Sequence, residues 1–223
     1  GRLYSETSSL QGGITITEQL LKIKKKVKRY LDKERYDHTI GVMHTCACLA
    51  MRYGADMDAA LTAGLLHDCA KGLSSEEKLR LCKKYHLEVS EAERANPGLL
   101  HAKLGAFFAW QKYHVKDKAI LRAIACHTTG KPNMSLLDKI LYVADFIEPG
   151  RCEAPNLPEV RALAFVNLDE CLFRILQDTL LYLERKKAAL DPVTEKTYQY
   201  YKERREERYE RTGTVPPDGK NSL

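Results

Sequence analysis

Apolar residues recur along this chain at the three-and-four spacing of helices, and almost nowhere at the two-residue alternation of strands. Leu20, Ile23, Val27 and Leu31 form one stripe, in a helix opened by the capping pattern Thr15-x-x-Glu18 and expected to reach about Lys33. A second helix is expected from about Asp37 to Tyr53, with Gly54 as a left-handed stop. On it His38, Val42, Thr45 or Cys46, and Leu49 share one face, so His38 points where core residues point. A third begins near Asp56 or Asp58 and carries Ala60, Gly64, His67 and Lys71 along a common face, whose small residues let another helix come close. Ser74-x-x-Glu77 starts a short helix through about Tyr85. After the breaker Asn96-Pro97-Gly98 comes a helix holding His101, Gly105 and Phe108. Asp117 caps a helix ending at His127, and Ser135 caps one that carries Ile140, Leu141, Ala144 and Asp145 before Pro149 stops it. Pro158 suits the first turn of a long helix reaching about Lys187, and the last helix opens at Asp191-Pro192 and runs to about Arg211. The fold class read from this pattern is all-α.

With 223 residues, 44% of them hydrophobic, the chain is sized for one good core. A single helical domain is expected over residues 14–212. The stretch 1–13, rich in Ser, Gly and Thr, is expected to be disordered or vector-derived, and the Pro-Asp-Gly tail 213–223 to be disordered. No apolar run approaches the ~20 residues of a membrane span and no signal-peptide pattern opens the chain, so a soluble, cytoplasmic protein with no membrane partner is expected. Seven cysteines, an odd number lying mostly in apolar helical patterns, fit free thiols in a reducing compartment, and Cys46-Ala47-Cys48 lacks zinc-binding CxxC spacing. The net charge of +6 is concentrated in residues 22–29, where the lysines form the solvated face of the first helix. Nucleic acid is therefore not the expected partner, although the sign favours an anionic substrate. GxGxxG, Walker and GxSxG patterns are all missing, which argues against dinucleotide enzymes, NTPases and serine hydrolases.

The residues that carry chemistry begin with the pair His67-Asp68 inside the apolar run Ala63-Gly64-Leu65-Leu66. Imidazole nitrogen and carboxylate oxygen are ordinary ligands for zinc, iron or manganese. Alone the pair is weak, because an imidazole satisfied by a backbone carbonyl beside an exposed Asp is commoner. Its company changes the weight: His38, His101, His127 and Asp145 each sit in a separate expected helix or at its end, and helical bundles build metal sites from side chains on facing helices.

The order His, His-Asp, His, His, Asp resembles the HD-domain metal-dependent phosphohydrolases. The stretches 35–42, 65–71, 99–105, His127-Thr128-Thr129-Gly130 and Ala144-Asp145-Phe146-Ile147-Glu148-Pro149-Gly150-Arg151 look like the bacterial symmetrical diadenosine tetraphosphate hydrolases within it. The likeness covers about Leu20 to Arg151. Further on, Pro192-Val193-Thr194 is present, while Tyr198 and Gln199 stand where that family has Arg-Asn.

The resemblance implies an HD-type helical bundle in which His38, His67, Asp68 and Asp145 bind one ion, iron first, with manganese or another divalent ion as the alternative. It leaves His101 and His127 to hold a second ion or to contact phosphate. Lys71 and Arg151 are implied as phosphate clamps, Thr128 as a hydroxyl donor, Thr194 as a substrate contact and Arg35 as a partner orienting a carboxylate. Asp68, Asp145 and Lys71 are the implied catalytic set, acting on a small dinucleoside polyphosphate or nucleotide, and a homodimer is compatible. The implied reaction attacks the middle of the phosphate bridge and releases two ADP. Three alternatives stay open: another nucleotide substrate such as a deoxynucleoside triphosphate or guanosine alarmone, di-iron oxygenase chemistry, and a non-catalytic nucleotide- or RNA-binding module.

Overall fold

The stripe Ile23, Val27 and Leu31 is buried in the computed structural model, which describes residues 16–154, 156–187 and 190–213, and every regular element among the described residues is helical. The first helix, α1 (Ile16–Lys28), packs its stripe on α3 (Met57–Leu66) and leaves Lys22, Lys25, Lys28 and Arg29 outside. Thr15 lies outside the described residues, as do residues 1–14 and 214–223. α1 stops five residues short of Lys33, because the Asp32 carboxylate accepts the Arg35 N–H and so starts α2 (Lys33–Tyr53) earlier than its apolar face indicates. Gly54 closes α2 in the left-handed conformation, as the sequence requires.

The site's frame is the four-helix group α2, α3, α7 (Lys118–Cys126) and α8 (Leu136–Ile147), which pack on one another through Val42, Cys46, Leu49, Leu65, Leu66, Ile124, Ile140 and Leu141. Each of these is under 2% exposed, and each large aliphatic contributes about 1.5–3 kcal/mol by leaving water. α2 and α3 meet most closely at Gly64, where an added Cβ would lie 2.7 Å from the Met43 Cα. A smaller apolar cluster, Ala70, Cys82, Leu100, Leu104 and Phe108, joins α4 (Ser75–Lys84) to α6 (Leu100–Gln111).

Two further helices differ from expectation. The third does not run on to Lys71: α3 ends at Leu66, and residues 67–72 form turns with Cys69 N–H donating to Leu66 O and Lys71 N–H to Asp68 O. The His67 ring takes the Gly64 carbonyl at 2.8 Å, the acceptor that the next helical turn would have used. The long helix from Pro158 is two helices, α9 (Leu157–Ala164) and α10 (Leu168–Arg185), divided where Asn167 caps Glu170 and where Tyr53 and Arg52 bind the freed carbonyls of Ala164 and Phe165. A short α5 (Glu91–Ala95), opened by the Ser90/Glu93 capping box, precedes a 3₁₀ turn at Pro97–Leu99, and α11 (Pro192–Thr212) packs on α10. Two ring nitrogens, two carboxylates and their neighbours are left facing one another inside this frame.

Candidate metal centre

His38 comes from the first turn and a half of α2, His67 caps the end of α3, Asp68 lies in the turn after it, His101 opens α6, His127 ends α7 and Asp145 lies in the last turn of α8. The structure brings all six together. Asp68 sits at the middle: its Oδ2 lies 3.5 Å from His67 Nε2, 3.9 Å from His38 Nε2 and 3.0 Å from Arg35 Nη1. Its Oδ1 faces the other two rings, 3.1 Å from His101 Nε2 and 3.7 Å from His127 Nε2. Asp145 Oδ1 lies 3.1 Å from His38 Nε2 and 3.9 Å from His67 Nε2.

The rings are aimed by a repeated local device. His67, His101 and His127 each donate Nδ1–H to the carbonyl three residues earlier, on Gly64, Gly98 and Ile124, at 2.8, 2.6 and 2.7 Å. A carbonyl only accepts, so Nδ1 carries the proton and Nε2 keeps its lone pair. The sequence reading set that carbonyl-satisfied imidazole against metal ligation; here the carbonyl bond is what turns the other nitrogen inward.

Electrostatics concentrate negative charge at the same spot. Burial works against ionising Asp68, but the field of His67 and the facing rings of His101 and His127 hold its carboxyl well below the usual range. Burial of Asp145 is likewise overcome by the rings of His38, His67 and His127, and its carboxyl is also lowered. Burial favours the neutral ring of His101, which is pushed down to about 4 against the pull of Asp68. His67 is raised despite complete burial, because Asp68 and Asp145 attract positive charge to its ring.

These residues fit a metal ion on a specific test. His38 Nε2 and His67 Nε2 are buried and have no hydrogen-bond partner among the described residues, a rare condition for polar atoms. With Asp145 they offer three ligand atoms within 4.8 Å of one another, and His67, Asp68 and His127 offer a second such group. A divalent cation satisfies the orphaned lone pairs and the two carboxylates together.

The phosphate candidates lie at the rim. Lys71 Nζ is 3.3 Å from His101 Nε2, and Arg151 Nη2 lies 3.3 Å from Asp145 Oδ1 while donating to the Asp145 backbone carbonyl at 3.0 Å. A cavity of about 710 Å³ opens at Arg151, lined also by Arg35, His38, Glu148 and Cys152. Thr128, half-buried, lines another of about 600 Å³ with Leu99, Cys126, Gly130 and Pro192. A larger cavity between α4 and α5, lined by Arg80, Lys83 and Arg94, contains none of the six. Thr194 is buried at the start of α11 and, among the described residues, no hydrogen bond joins it to the cluster. Sequence reasoning passed over Glu148, which is 3% exposed and reaches His38 Nδ1 at 3.1 Å.

Comparison with known proteins agrees with this geometry. The HD-domain family model matches residues 35–150, which span every residue of the cluster. The symmetrical bis(5'-nucleosyl)-tetraphosphatase of Bacillus subtilis is 40% identical over 174 residues, covering 78% of this chain and 92% of that protein. The protein of the same name from Halalkalibacterium halodurans is 39% identical over 172 residues, 77% of this chain and 91% of its own. A crystal structure from Clostridium acetobutylicum, described as a predicted HD superfamily hydrolase involved in NAD metabolism, superposes with a TM-score of 0.79 at 38% identity, covering 82% of this chain and 96% of that one. Family model, relatives and fold coincide on the elements that carry the six ligand-type side chains, and this chain belongs to the HD-domain family, in the group that these tetraphosphatases represent.

Proposed function

We propose that this protein hydrolyses diadenosine tetraphosphate to two ADP, using a divalent ion held by His38, His67, Asp68 and Asp145. The observation that carries the reading is the convergence of four Nε2 atoms on two carboxylates, in a chain whose relatives over three quarters of its length are named symmetrical tetraphosphatases. Iron is the proposed ion, with manganese able to stand in, since two imidazoles and two carboxylates suit either. When bound there, such an ion lowers the pKa of a coordinated water toward neutrality and polarises a phosphoryl oxygen.

The chain's own groups do the rest. Asp145 is the more exposed of the two carboxylates, at 24% against 3% for Asp68, and orients the attacking water. His101 and His127, whose Nε2 lone pairs share the opposite oxygen of Asp68, would hold a second ion beside the phosphates, with Lys71 and Arg151 as the clamps. Lys71 supplies a point charge and Arg151 a planar fork, and both stabilise charge spread over the equatorial oxygens. Arg35 keeps Asp68 oriented. Water adds across the central P–O–P bridge, its oxygen going to one phosphorus and its proton to the departing diphosphate.

Chromatography of the products formed from diadenosine tetraphosphate by protein loaded with iron or manganese tests the reading: ADP alone is expected, and a chelator abolishes turnover. ATP plus AMP, or no turnover with either ion, refutes the substrate. No helix among the described residues is long and apolar enough to cross a membrane, and the seven cysteines are all free, which supports a reducing, cytoplasmic setting.

A further inference from the structure

His67, His101 and His127 are oriented by backbone carbonyls three residues earlier, but His38 is not. Its Nδ1 faces a carboxylate 110 residues away, Glu148 Oε1 at 3.1 Å. The other oxygen of that carboxylate accepts the Gly150 N–H at 2.6 Å. The loop that presents Glu148 is fixed in turn by Arg161, which donates to the carbonyls of Ile147, Glu148 and Arg151 at 2.9, 2.8 and 2.8 Å. The carboxylate lies close over residue 41, a glycine on the α2 face beside His38: an added Cβ there would lie 2.5 Å from Glu148 Oε2 and the carboxylate would have to shift.

We infer that Glu148 is a positioning residue for the metal centre, which sets the tautomer of His38 and reaches it across the missing side chain of Gly41. A carboxylate at neutral pH only accepts, and Gly150 N–H only donates, so both oxygens are committed and His38 must place its proton on Nδ1. Nε2 is then a lone pair aimed between Asp68 and Asp145. The inference rests on the cluster binding an ion and is independent of which nucleotide is hydrolysed.

Glutamine cannot replace this group. It offers one acceptor where two donors wait, so its amide NH₂ opposes either Gly150 N–H or His38 Nδ1–H, and in the second case the ring is pushed to the tautomer whose Nε2 carries hydrogen. Glu148→Gln should therefore weaken Mn²⁺ binding about tenfold to a hundredfold, measured by competition against a chelator. In the metal-free protein, imidazole ¹⁵N spectra should show His38 losing its single Nδ1–H tautomer. Gly41→Ala, which changes no polar group, should weaken Mn²⁺ binding similarly by driving the carboxylate off the ring. Glu148→Ala should weaken it too, and adding Gly41→Ala to that variant should cost nothing more, because the obstructed group is gone.

Wild-type Mn²⁺ affinity in folded Glu148→Gln, or effects of Gly41→Ala and Glu148→Ala that multiply independently, overturns the inference while leaving the metal site standing. A wild-type protein that binds no Mn²⁺ overturns the metal site and the inference with it. Failure to hydrolyse diadenosine tetraphosphate by protein that binds Mn²⁺ normally touches only the proposed substrate.

Discussion

Gly64→Ala is the substitution whose consequences the geometry fixes most tightly. The new methyl would sit 2.7 Å from the Met43 Cα and 3.1 Å from the Met43 nitrogen. Both are backbone atoms of α2, so no rotamer change relieves the contact, and α3 must back away by about 1 Å to restore ordinary carbon separation. Two terms oppose one another. Replacing glycine inside a helix gains about 1 kcal/mol of propensity, whereas overpacking against rigid atoms costs about 1–3 kcal/mol and here falls at the upper end. The net loss of about 2 kcal/mol corresponds to a fall in Tm of about 4–8 °C for a chain of this size. The same shift reaches the chemistry, because the Gly64 carbonyl is the acceptor for His67 Nδ1 at 2.8 Å and α3 hands directly into His67 and Asp68. A displacement of about 1 Å in reacting groups costs on the order of a hundredfold in turnover. Thermal unfolding, Mn²⁺ titration and hydrolysis of diadenosine tetraphosphate at saturating metal would be run on the same preparation. A variant with wild-type Tm and wild-type kcat/KM would refute the argument that α2 and α3 touch through this glycine.

Asp68→Ala should abolish metal binding and hydrolysis together, since that carboxylate is the group nearest all four rings; turnover near wild type would remove the proposed centre. Lys71→Ala should keep Mn²⁺ affinity while lowering kcat/KM about tenfold to a hundredfold, the equivalent of about 1.5–3 kcal/mol for a charge-assisted contact. Arg151→Ala should lower kcat/KM by a similar factor, with a smaller loss of metal affinity than Asp68→Ala because its guanidinium rests on Asp145; unchanged kinetics in either variant would strip these two of their phosphate role. Stripping the protein with a chelator should lower Tm, and restoring Mn²⁺ at a hundred times its Kd should recover about 2.7 kcal/mol, or about 5–11 °C. A melting curve indifferent to the ion would contradict a site built around it.

The sequence by itself determined the helices whose ends are chemical rather than tertiary events. Asp56, Ser74, Asp117, Ser135 and Asp191 cap helices where their side chains predict, and Gly54 stops α2 with a positive φ of 71°, because capping is settled within three or four residues. The six ligand-type residues were legible for a related reason: a His or Asp inside an apolar run has no cheap place in a core, and six in order constrain one another through a family resemblance. What the tertiary structure alone decided is where partners come from distant segments. The division at residues 165–167 depends on Tyr53 and Arg52, more than a hundred residues away, accepting the role of helix cap for α9. α3 ends at Leu66 because the His67 ring competes for the Gly64 carbonyl, with its other nitrogen facing Asp145 of α8. Glu148 was invisible as a site residue, since its meaning lies in a glycine on α2 that leaves space and a ring on the same helix that needs an acceptor. Local sequence fixes dihedral preferences and end caps over a few residues; which lone pair faces which, across 110 residues of chain, is decided only when the helices pack and every buried donor must find an acceptor.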